Sequence, residues 1–191
     1  MSRVRGNQQL TAAAAILLLG LLAVEGVTLL NLRALMSVHA FVGMLLIPLV
    51  ALKLGSVGWR MLSYYRGRTE YVEAGPPHIA LRVVVGPLVI ASTVLLLGTG
   101  VALLAIGQTD GTLVLLHKAS FIVWLGATGI HVLVHIWKLR GVLLQRVPGA
   151  AGRFILVGAA ILASSALAVA TLPAADHLQD RMSAQVGLDA H

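Results

Sequence analysis

Five runs of apolar residues, at about 10–30, 35–52, 79–106, 112–139 and 154–172, leave this chain little choice of fold. Each is long enough to cross a bilayer as a helix, for which ~20 residues suffice. Inside lipid, backbone N–H and C=O groups must find partners within the segment, and a helix provides them residue by residue. The sequence therefore predicts an all-α integral membrane protein with five transmembrane helices in residues 1–173, four of them forming a bundle, and a polar extracytoplasmic tail at 174–191. Composition agrees. Only 11% of the residues are charged, where soluble domains carry about a quarter, and mean hydropathy is +0.92. No internal repeat and no second folded domain is evident.

Arg3 and Arg5 precede the first run. That run is too long for a signal-peptide core and no small-x-small cleavage site closes it, so it reads as a retained helix. Glu25, near its far end, either lies on a proton or quinol path or pairs with Arg33 and reaches the interface. Asn31 to Ala34 alone separate the first two spans, which predicts a tight antiparallel hairpin. Pro48 is expected to kink the second span, and Lys53 to close it. The connection from Gly55 to His78 carries Trp59, Tyr64, Tyr65 and Tyr71 among Arg60, Arg66 and Arg68, a composition suited to the membrane surface. Pro173 closes the fifth span, and the tail beyond it is expected to be mobile.

The net charge of +7 and the pI near 10.9 do not signal nucleic acid. The cations sit in loops flanking apolar spans, not along one solvated face. With five spans, eleven of the fourteen Lys and Arg residues fall on one side, and Arg33, Lys118 and Arg181 on the other. The positive-inside rule then places the N-terminus in the cytoplasm and the C-terminus outside, in the cytoplasmic (inner) membrane. Cysteine is absent. This excludes iron–sulfur clusters, c-type haem attachment and thiolate zinc sites within the chain, and leaves imidazole as the redox-metal ligand.

Three of the seven histidines lie in the fourth span, in LHKASFIVWLGATGIHVLVHIWKL. At ~100° per residue, His131 and His135 return to the face of His117, and at ~1.5 Å per residue His131 lies ~21 Å further along the axis. His39 stands near the start of the second span, which runs in the same direction, so His39 and His117 share a depth near the outer surface. His131, His135 and His78, which just precedes the third span, form an inner group. Ionisable groups in apolar spans are costly and seldom idle. Two level groups suggest one or two b-type haems held by paired imidazoles, an arrangement suited to electron transfer. For the propionates, Arg33 and Lys118 are available at the outer level, and Lys53, Arg82 and Lys138 at the inner. The choice between His131 and His135, and the part of His78, stay open at this point. His177 and His191 are read as polar residues without a role.

These residues resemble the bacterial membrane cytochrome b superfamily, the di-haem four-helix type that includes the cytochrome b subunits of nickel–iron hydrogenases and formate dehydrogenases. The resemblance covers roughly residues 35–172. It rests on the early histidine of HAFVGMLLIPLVALKL and on a later helix with two histidines separated by thirteen residues. It implies that His39, His117 and His131 ligate two b haems that pass electrons between a quinone pool and a partner. The chain departs from that pattern in its additional first helix, in placing His78 at the very start of the third span, and in carrying Lys53 where a second histidine would stand fourteen residues after His39.

The functional expectation is a b-type cytochrome carrying electrons across the bilayer between a quinone or cytoplasmic donor and a partner redox protein, as the electron-transfer subunit of an oxidoreductase. No flavin- or nicotinamide-binding stretch is present, so any dehydrogenase is a separate chain. Two other classes compete: a cofactor-free membrane anchor or assembly subunit, and a metal or proton transporter. Against transport, the spans show neither inverted halves nor paired broken helices. The sequence sets no oligomeric state.

Overall fold

The computed structural model describes residues 2–75, 81–144 and 149–189. Among the described residues there are five helices long and apolar enough to cross a membrane, and no strand. The all-α membrane fold expected from hydropathy is the fold observed. Helix α1 (Ser2–Thr28) passes through a 3-10 turn (Leu29–Asn31) to α2 (Met36–Tyr65). A short α3 (Thr69–Glu73) follows. A π turn (Leu81–Val85) then leads into α4 (Gly86–Ile106), where Pro87 has no N–H with which to close an ordinary helical turn. Helices α5 (Gly111–Leu143) and α6 (Ala150–Asp189) complete the chain.

Hydrogen bonds between helices show that the spans alternate in direction. At one end the Asn7 amide of α1 donates to Ser56 O of α2 at 3.0 Å, and Gln9 Nε2 donates to Val142 O of α5 at 3.3 Å. At the other end the Ser37 N–H donates to Gln179 Oε1 at 3.2 Å, and Arg181 Nη1 donates to Gly107 O at 2.9 Å. Gly107 stops α4 by taking φ +69°, where its N–H caps Leu103 O at 2.8 Å.

Lipid tails are as apolar as leucine, so close packing of small residues, more than the hydrophobic effect, joins membrane helices. Helix α6 offers such a face in Ala160, Ser164, Ala168 and Ala175, all buried. Ala160 packs with Leu18 of α1 and Leu46 and Leu49 of α2. Ala168 and Ala175 pack with Met44 of α2 and Leu104 of α4. Helices α4 and α5 form a second pair, tied by a 3.0 Å hydrogen bond from Trp124 Nε1 to Thr93 Oγ1. On α5, Leu115, Ile122, Leu125, Leu133 and Trp137 stay exposed, as a lipid-facing side requires.

The ends of two helices differ from expectation. Helix α2 does not stop at Leu52 but continues to Tyr65, because Lys53 points into an internal cavity and Ser56 and Ser63 beyond it are buried. Helix α6 does not stop at Pro173. It runs on to Asp189, with Ala175 and Leu178 seated in the core, since packed neighbours let a membrane helix accommodate proline. Residues 174–189 are therefore helical. Within the long connection the Arg68 guanidinium lies 4.7 Å from the Trp59 ring centroid, and Tyr71 is buried.

Candidate functional site

A cavity of about 460 Å³ separates the α1–α2–α6 group from the α4–α5 pair. Cofactor pockets commonly span ~300–1,000 Å³. Its wall is mainly apolar, and His39, His117, His131 and His135 all line it, together with Lys53 and Lys118. Helical spacing explains the convergence. On α2, His39, Gly43, Leu46, Val50 and Lys53 form one row; on α5, His117, Phe121, Trp124, Thr128 and His131 form the facing row.

At the end of the bundle where α2 and α5 begin, both imidazoles are held by the same device. Thr28 Oγ1 donates its proton to Glu25 O at 2.6 Å and lies 3.0 Å from His39 Nδ1. A hydroxyl has one proton, so Thr28 accepts from His39 Nδ1–H. Glu25 Oε1 sits 3.0 Å from the same nitrogen. Across the cavity, Thr99 Oγ1 donates to Leu95 O at 2.8 Å and lies 2.9 Å from His117 Nδ1. Bond accounting thus makes Nδ1 of each ring the nitrogen that donates to its threonine. An imidazole with one nitrogen anchored and the other free is the usual state of a metal-ligating histidine.

The walls around these rings are shaped for a close neighbour. A Cβ added at Gly100 would lie 3.1 Å from His117 Cε1, a tight contact that would push the ring by a few tenths of an ångström. A Cβ at Gly43 would lie 3.7 Å from Glu25 Oε1. Two buried cavity-lining oxygens, Glu25 Oε2 and Thr128 Oγ1, have no hydrogen-bond partner among the described residues, a condition rare for buried polar atoms.

Further along α5 the His131 and His135 rings stack, with centroids 4.5 Å apart and planes 20° apart. His135 Nδ1 donates to His131 O at 2.9 Å. Lys53 lies within electrostatic range of His131. Of the remaining expected residues, His78 lies outside the described residues, as do the side chains of Arg82 and Lys138. Arg33 is exposed and does not line the cavity; its carbonyl accepts from Gln179 Nε2. Glu25 pairs with His39 and not with Arg33. Among the described residues no three His, Cys, Asp or Glu side chains gather to hold a bare metal ion.

Sequence reasoning missed Thr28 and Thr99, whose signal was a lone hydroxyl in an apolar span one helix away from each histidine. Replacing Thr99 with valine keeps the shape but removes the acceptor for His117 Nδ1–H. Loss of such an outer partner typically weakens binding ~10–100-fold. Titration of the purified variant with haem, the group expected from the sequence, should show a drop of that order relative to the unsubstituted protein, and equal affinity would refute the assigned role. No family model matches the chain, and neither a curated protein nor a solved structure matches it.

Proposed function

We propose that the chain is a b-type membrane cytochrome in which His39 and His117 hold a haem b near the outer surface, and that it carries electrons across the bilayer. The observation that supports this reading most is the pair of imidazoles from α2 and α5, each held through Nδ1 and both lining one mainly apolar cavity. A macrocycle brings four nitrogen donors of its own, so two imidazoles are all that the protein would need to add. Bound there, the haem supplies one-electron chemistry at its iron. The chain's residues do the rest: Thr28, Glu25 and Thr99 orient the ligands, the glycines admit a flat group, and the apolar wall excludes water.

The positive-inside count favours the cytoplasmic membrane, with the N-terminus inside and the His39–His117 pair toward the outer face. The acceptor is then an extracytoplasmic redox protein, and the donor a quinone or a cytoplasmic protein. A direct test uses haem-loaded protein in vesicles that enclose ferricyanide, with dithionite outside. Enclosed ferricyanide should bleach faster than in protein-free vesicles. Equal rates would refute transmembrane electron transfer.

A further inference from the structure

We infer that Lys53, together with His131, would hold a second haem b at the inner level, its amine serving as a ligand to the iron. The inference rests on the cytochrome reading and deepens it. Lys53 follows His39 by fourteen residues on α2, and His131 follows His117 by fourteen on α5. Fourteen residues return a side chain to within ~40° of its starting face and advance it ~21 Å. Because α2 and α5 run in the same direction and His39 faces His117, the equal offset sets Lys53 and His131 at one depth. Both line the same cavity.

Lysine at this position is otherwise hard to account for. It is half-buried in the middle of α2, twelve residues before the helix ends at Tyr65. Among the described residues no carboxylate pairs with it, and the one carboxylate that lines the cavity, Glu25, is joined to His39. An unpaired ammonium at membrane depth is costly. A neutral primary amine on a flexible four-carbon stem carries a lone pair that iron can take. His135 completes the arrangement as a positioning residue. Its Nδ1–H is tied to His131 O and its ring lies flat against that of His131, which limits the rotation of the His131 ring.

The test is ligand spectroscopy of the oxidised, haem-loaded full chain, by electron paramagnetic resonance and near-infrared magnetic circular dichroism, with haem counted by pyridine haemochrome. The wild-type protein should show one bis-imidazole and one imidazole–amine low-spin signal. Lys53→Arg keeps the charge but offers no lone pair, and should lose the imidazole–amine signal while the bis-imidazole signal persists. Lys53→His should keep the haem count and turn the inner signal into a second bis-imidazole one. His131→Ala should lose the same inner signal, and His135→Ala should retain it. Retention of both wild-type signals in Lys53→Arg would overturn the inference, leaving Lys53 as a charge beside a propionate and the outer haem intact. Two bis-imidazole signals, or a single haem, in the wild-type protein would overturn it too. Wild-type protein that binds no haem would instead bring down the cytochrome reading on which it rests.

Discussion

His117→Ala is expected to lose the outer haem completely and to keep the inner one, one haem fewer per chain by pyridine haemochrome. Alanine offers no donor, so the iron at that level would keep His39 alone among the protein's ligands. The fold should survive. His117 is only partly buried, and Thr99 still donates to Leu95 O at 2.8 Å after its partner is gone, so no buried donor is orphaned. A cost of about 1 kcal/mol in stability is typical for such a change. The truncation also leaves a gap the size of the ring it removed. Imidazole added to the medium should enter that gap and restore the low-spin spectrum, a rescue that a general loss of structure would not permit. Unchanged haem content without imidazole would contradict the ligand assignment.

Gly100→Leu should abolish the same haem by a different route. A Cβ at position 100 already approaches His117 Cε1 to 3.1 Å and Nδ1 to 3.7 Å, and the branched end of leucine reaches further into the ring. Helices α4 and α5 are fastened nearby by the Trp124–Thr93 bond, so the backbone has little freedom to retreat. The ring must turn away, breaking its 2.9 Å bond to Thr99. Overpacking of this kind costs ~1–3 kcal/mol. Imidazole should not rescue this variant, because leucine fills the space the ring vacates. Gly98 supplies the control. It is exposed on the same helix, and a Cβ there meets nothing within 4 Å, so Gly98→Leu should bind haem as the wild-type protein does. A full haem complement in Gly100→Leu would contradict the close packing of Gly100 on His117.

Much of the scaffold was legible in the chain because lipid imposes one rule on every span. Counting from the helix starts already set His39 beside His117 in depth, and the structure brings both to one cavity. What escaped was of two kinds. Lys53 and Pro173 looked like stops, since a charge and a missing N–H usually end a span; inside this bundle Lys53 turns into the cavity, and α6 continues through Pro173 onto α2. The partners of the histidines were hidden for another reason. Glu25 stood close to Arg33 in sequence, but its contact with His39 is made between helices. Thr28 and Thr99 likewise act across helix boundaries, and spacing along one helix carries no record of such a neighbour.

The most direct test of the account is the dithionite-reduced minus oxidised spectrum of the purified wild-type protein, with pyridine haemochrome quantification. A b-type band with haem bound at both levels is the predicted result. Protein that is folded and helical by circular dichroism but shows no b-type band, even after incubation with haem, would contradict it.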